Sequence, residues 1–134
     1  MRIPDITLTV DDLIDHAKRS LATWQGDAAR YIGKEPLNEW DQRQFDAARA
    51  RAARCAGLID ALVSAKRGHA WGHHVQLLRE AAVKARDSYD NARQSYDWAD
   101  YQTEREAADV GWCKAYAEAL ESVVASLAED HNGI

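Results

Sequence analysis

At 134 residues the chain has the length of one domain, able to bury a core without disulfide staples. Apolar residues make up 46% and charged residues 29%, which separates it from disordered chains. A net charge of −5 and a pI near 5.5 argue against a dedicated nucleic-acid binder, and no run approaches the roughly 18 apolar residues of a membrane-spanning helix. The start, "MRIPDITLTV", has no charged segment followed by an apolar one, so the expectation is a cytoplasmic protein without a secretory signal. Two prolines and abundant alanine favour helix. Arginine outnumbers lysine 12 to 5, a bias associated with GC-rich bacterial or phage sources.

The first element follows from Val10, Leu13, Ala17, Leu21, Trp24, Ala28 and Tyr31, which recur at three- and four-residue steps and form one stripe of a helix. Thr9 with Asp12 resembles a capping box at its start. Gly33 suits the left-handed position after its end and Pro36 bars continuation, giving a helix over about 10–32. Asn38 with Asp41 marks the second start. Phe45, Ala48, Ala52, Cys55, Ile59 and Leu62 keep the spacing, and Lys66, Arg67 and Gly68 close a helix over about 38–66. Gly57 inside it points to close approach of a neighbour or to simple tolerance.

A third stripe runs through Trp71, Val75, Leu78, Ala82, Ala85, Tyr89, Ala92, Tyr96 and Ala99, giving a helix over about 70–99. A fourth runs through Ala107, Val110, Cys113, Ala117, Leu120, Val124 and Leu127, a helix over about 103–129 before "EDHNGI" frays. No proline or glycine separates these two, so one helix of more than 50 residues competes with a hairpin near 100–103. The hairpin is preferred. Thr103 and Glu106 read as a capping box, whereas a continuous helix places both in its apolar seam. The expected fold is all-α: a single domain over 1–134, an antiparallel up-down-up-down four-helix bundle. The competing architecture is a helical hairpin plus one very long helix in a coiled-coil dimer.

Most chemical signatures have an ordinary explanation. His69 and His73 lie one turn apart, the spacing that lets two imidazoles share a metal, but no nearby acid completes a set and Glu-x-x-His is absent. They are read as a solvated cluster, with no metal or cofactor expected. Cys55 and Cys113 fall on apolar stripes and read as small buried thiols. No strained turn exposes a serine and no glycine-rich loop cradles phosphate. Paired carboxylates such as Glu104 and Glu106 suit a helix's first turn. Arg43, Arg49, Arg51 and Arg54 read as a solvated or ion-paired face rather than a phosphate site.

Charge is unevenly placed: residues 1–42 carry −3, residues 43–86 carry +6, and residues 87–130 carry −8. Within Asp87–Asp109, seven acids, three tyrosines and a tryptophan leave a net charge of −5. At about 100° per residue Tyr89 and Tyr96 fall on the buried stripe, while acids and Trp98 face away. Asp97 and Asp100 crowd the negative end of a helix dipole, so helix stability does not account for them.

The expected function is a non-enzymatic helical binding protein that docks an acidic and aromatic face on a basic surface of another protein. Asp90, Asp97, Asp100 and Glu104 steer association, and Trp98 and Tyr101 supply contact area. A concrete version is an inhibitor of a host nucleic-acid-binding or defence complex, carried by a phage or mobile element and imitating phosphate charge. The alternatives are a self-assembling helical homodimer and a metal-dependent bundle hydrolase. A competing explanation of the acids is that they solvate the bundle end or pair with arginines of the second helix.

Overall fold

The computed structural model describes residues 2–34 and 36–132, with side chains through residue 128. Four helices, α1 (Val10–Ala29), α2 (Glu39–Lys66), α3 (Gly72–Trp98) and α4 (Glu104–Asn132), form an all-α bundle with no strand among the described residues. The single very long helix is overturned: Ala99 takes an extended conformation (φ −70°, ψ 135°), and the chain turns before restarting at Glu104.

Local chemistry fixes most boundaries. Thr9 and Asp12 make both halves of the capping box, the Asp12 N–H donating to Thr9 Oγ1 at 3.2 Å and the Thr9 N–H to Asp12 Oδ2 at 2.8 Å. That hydrogen bond holds the Asp12 carboxyl below the usual carboxylate range. Asn38 Oδ1 accepts from the Asp41 N–H at 2.7 Å, and Thr103 Oγ1 from the Glu106 N–H at 3.1 Å. Gly33 and Gly68 occupy the left-handed region after α1 and α2, with φ of 84° and 73°. α1 ends three residues before the expected 32. Its last carbonyls are taken by a tighter turn, Tyr31 N–H to Ala28 O and Ile32 N–H to Ala29 O, which leaves Ile32 exposed. α4 runs past the expected 129 to Asn132, so the expected fraying is not seen there; Gly133 and Ile134 lie outside the described residues.

Contacts between neighbouring helices establish the direction of each. Lys66 at the end of α2 pairs with Asp11 at the start of α1 at 2.5 Å, and Tyr31 stacks on Phe45 at the opposite end. Asp60 meets His74 across α2 and α3. Tyr96 packs with Ala107 across α3 and α4. Val10 shares a groove with Ser126 and Leu127, while His16 meets Trp112 and Tyr116. The bundle is therefore antiparallel and up-down-up-down. The α1–α2 and α3–α4 turns share one end, here the open end; the α2–α3 turn lies at the other.

The core comes in two pieces. One draws on all four helices, with Leu13, Ala61, Leu62, Leu78, Ala117 and Leu120 almost fully enclosed. It occupies the half near the α2–α3 turn, below His16, Cys55 and Ala85. The second piece, Tyr96, Ala107 and Val110 with Tyr89, Ala92 and Ile3, belongs to α3, α4 and the N-terminal segment. Toward the open end the α1–α2 hairpin packs on itself: Arg51 lies over the Trp24 ring at 4.6 Å and Arg49 over Phe45 at 5.4 Å. Among the described residues, no core cluster joins the two hairpins there. They form two arms. The accessible surface is 9111 Å², whereas a compact monomer of 15.0 kDa exposes about 7,000 Å².

Residues 2–9 are extended and run beside α4, with Pro4 against Gly111 and Leu8 beside Ala119 and Val123. Gly111 is buried, and a Cβ there meets Pro4 O at 2.7 Å. At Gly57 the neighbour is the end of the Leu77 side chain, 3.2 Å from a Cβ position, so the close approach read from the sequence is present but soft. Trp71, expected on the buried stripe, is 69% exposed, because it stands at the N-cap of α3 before the helical face begins. No described helix is long and apolar enough to cross a membrane.

Candidate partner-binding face

The α3–α4 turn is held by polar contacts, and this is what projects its aromatics outward. The Ala99 N–H donates to Tyr96 O at 3.3 Å, Gln102 Nε2 donates to the same carbonyl at 3.0 Å, and Thr103 caps α4. Tyr96 is buried on the α3 stripe and Tyr89 half-buried, as the spacing predicts. With the inner face so occupied, Trp98 and Tyr101 stand 79% and 81% exposed. Leaving such large rings in water is unfavourable unless they are used, and aromatics of this kind dominate protein contacts.

The acids of the face divide into two groups. Asp97 accepts from Arg93 Nε at 3.0 Å, one turn back on the same helix, which offsets its poor position at the dipole end. Asp90, Asp100 and Glu104 are exposed and make no ion pair among the described residues. None of the acids pairs with an arginine of α2 among the described residues, so pairing with that helix finds no support there, while their exposure is what solvation of the bundle end also requires. Glu106 is exposed at the start of α4 rather than inward.

Two features of this end escape sequence reasoning. Ile32 and Trp40 are 71% and 67% exposed, so four of the six exposed large hydrophobics among the described residues lie at the open end. Trp40 comes two residues after the Asn38 cap and before the stripe begins at Phe45, the one available signal that it faces outward. The second is the pairing of the basic run, whose residues the sequence shows but whose partners it does not. Arg43 pairs with Glu39 on its own helix, while Arg51 and Arg54 are exposed and have no ion pair among the described residues. The α3–α4 hairpin is tied by Arg86 and Glu121: Arg86 Nε donates to Glu121 Oε2 at 2.9 Å, and this bond lowers the Glu121 carboxyl.

The histidines regroup. Asp60, His73 and His74 come together, with ligand atoms within 4.8 Å of one another, and His69 is not part of this group. The buried member, His74, is already committed. Its Nδ1 accepts from the Trp71 N–H at 3.0 Å and caps α3, so the ring proton sits on Nε2, which donates to Asp60 Oδ2 at 2.9 Å. A metal at Nε2 requires that proton to leave while Nδ1 still accepts, which leaves an anionic ring. Capping and coordination therefore exclude each other. We expect His74→Ala to lower unfolding stability by about 1–3 kcal/mol, from the lost cap and an unsatisfied Trp71 N–H. His73→Ala is expected to stay within about 0.5 kcal/mol. Urea unfolding of both variants checks this; equal effects, or a zinc-dependent midpoint in the parent, restore the metal reading.

The thiols show no activation. Cys55 and Cys113 are free and half-buried, and burial pushes both upward in pKa, away from the reactive thiolate. His16, half-buried against Trp112 at 4.6 Å, is pushed down by burial and by Arg19.

What the fold defines is an all-α four-helix bundle, two-armed at one end, with an acidic and aromatic tip on the α3–α4 arm. Comparison with protein-family models, curated proteins and solved structures returns no match for the chain.

Proposed function

We propose that the protein is a non-enzymatic helical binding protein whose α3–α4 tip docks on a basic surface of another protein. The observation that carries this reading is the pairing of Trp98 and Tyr101, each about four-fifths exposed, with the exposed acids Asp90, Asp100 and Glu104, which form no ion pair among the described residues. In this role the aromatics supply desolvated contact and the carboxylates raise the rate of encounter. Along the end of α3 and the turn after it, the acids have the sign of a phosphate row. An inhibitor that occupies the nucleic-acid groove of a host complex is the specific form this takes, consistent with the arginine-rich composition.

The test is affinity capture with the parent and with Trp98→Ala/Tyr101→Ala. The double variant is expected to lose its specific partner by at least about tenfold, since central aromatics are worth about 2 kcal/mol or more. Its helix content remains that of the parent, because both side chains are exposed. An identical set of captured proteins at equal strength overturns the reading.

A further inference from the structure

The surface that fits the acidic tip is carried by this same chain. On α2, at about 100° per residue, Trp40, Arg43, Arg51 and Arg54 lie within an arc of about 80°. All four are exposed. Arg51 and Arg54 lack ion pairs among the described residues, and the exposed Arg43–Glu39 pair on one helix is of a kind that exchanges readily. The face pairs positive charge with an exposed tryptophan, as the tip pairs negative charge with Trp98 and Tyr101.

The two rows also match in spacing. Arg43, Arg51 and Arg54 are separated by eight and three residues; Asp90, Asp97 and Asp100 are separated by seven and three. At about 1.5 Å per helical residue Asp90 and Asp97 stay in step with Arg43 and Arg51 to within about one residue's rise, and Asp100 follows in the turn after α3. Their direction is set by symmetry. A two-fold axis across the open end inverts a second copy, so that its α3 runs alongside α2 in the same chain direction. In that register Asp90, Asp97 and Asp100 of the second copy face Arg43, Arg51 and Arg54, and Trp98 of the second copy lies beside the Arg51 and Arg54 guanidinium groups. The tip then reaches the level of Cys55, where the four-helix core begins, and each arm lies along the other copy's arm.

We infer that the protein pairs with a second copy of itself through the open end, the acidic tip of each α3–α4 arm seating on the Trp40–Arg54 face of the other's α2. This rests on the reading of the tip as a docking face: a second copy covers it in the free protein, and the basic surface of another protein competes for the same tip. The surface beyond that of a compact monomer, about 2,000 Å² per chain, exceeds the about 800 Å² that a standard interface removes from each partner, so the arms expose enough area for one.

The experiment is light scattering on the full chain. The parent is expected at twice 15.0 kDa, dissociating as salt rises. Arg51→Glu/Arg54→Glu and, separately, Asp97→Lys/Asp100→Lys are each expected to weaken the dimer at least about tenfold, because like charges now meet in both contacts. An equimolar mixture of the two variants restores a dimer, since each contact again joins opposite signs. All four positions are exposed, and circular dichroism checks that the helices persist. A parent that is monomeric at every concentration overturns the inference; so does a dimer indifferent to both reversals, or a mixture that stays monomeric. A monomeric parent whose capture of another protein still depends on Trp98 and Tyr101 retires the second copy and leaves the docking tip standing. Capture indifferent to those two residues retires the tip itself.

Discussion

Truncation of Leu120 to alanine is expected to remove about 3–5 kcal/mol of unfolding free energy, a large share of the 5–15 kcal/mol typical of a small domain. Leu120 has no exposed surface and sits in the cluster that includes Leu13, Leu62, Leu78 and Ala117, one or more from every helix. Removing its branched end takes away the transfer energy of three carbons. It also leaves a cavity whose walls come from four helices, which cannot all move inward together. The matching expectation concerns the open end. Phe45 is half-buried and touches Tyr31 and Arg49, both within the α1–α2 arm, and neither core cluster of the described residues includes it. Phe45→Ala is therefore expected to lower stability by only about 1–2 kcal/mol, well under the cost for a buried phenylalanine. Urea unfolding of both variants, compared through midpoints at constant slope, decides the matter. Equal losses contradict a core divided between a four-helix section and two arms.

That division explains what the sequence exposes and what it conceals. The three- and four-residue spacing finds all four helices, since a helix must turn one face inward wherever it packs. Thr9, Asn38 and Thr103 mark three of the starts, because a short oxygen-bearing side chain there satisfies an orphan N–H. The choice of hairpin over one long helix rests on Thr103, and the Glu106 N–H is indeed bonded to it. Periodicity says which face packs, however, and not whether a second hairpin arrives to cover it. Leu21, Trp24 and Phe45 continue the same stripes as Leu13 and Leu62, yet they remain half-buried where Leu13 and Leu62 are enclosed. Trp71 keeps the spacing and is exposed, because the helix begins just after it.

The same limit applies to the tip. Helical geometry places Trp98 and the acids outward, and the structure agrees, but Trp40 and Ile32 join them at one end through topology alone. No sequence interval connects residue 40 with residue 98. Arg51 offers a similar case. In the sequence it is one of a basic run; in the structure its guanidinium stacks on Trp24 and makes no ion pair among the described residues. That arrangement keeps an arginine in place and available, which suits an interface better than a solvated face, where a mobile side chain would do as well.

Gly111 is the position where the sequence's own helix preference is expected to fail. Alanine in a helix interior is favoured over glycine by about 1 kcal/mol, so Gly111→Ala in α4 ought to stabilise. Its Cβ, however, falls 2.7 Å from Pro4 O and 3.1 Å from Pro4 Cγ. The first is a backbone atom, so the extended segment 2–9 must lift as a unit rather than rotate one side chain away. Lifting it uncovers the contact of Ile3 with the Tyr96, Ala107 and Val110 cluster and the half-buried Leu8. Partial burial of two such side chains is worth about 2–3 kcal/mol, which exceeds the helix gain. The expected net effect is a loss of about 1–2 kcal/mol, measured by urea unfolding. Gly57→Ala provides the contrast, since the close atom there among the described residues is the end of a flexible leucine, 3.2 Å away, and that variant is expected to gain up to about 1 kcal/mol. A chain lacking residues 2–8 isolates the cause. With the segment gone, Gly111→Ala should turn from destabilising to stabilising by about 1 kcal/mol, because only the helix preference remains. If the sign does not change between the two backgrounds, the segment does not press on α4, and the glycine owes its place to something other than Pro4.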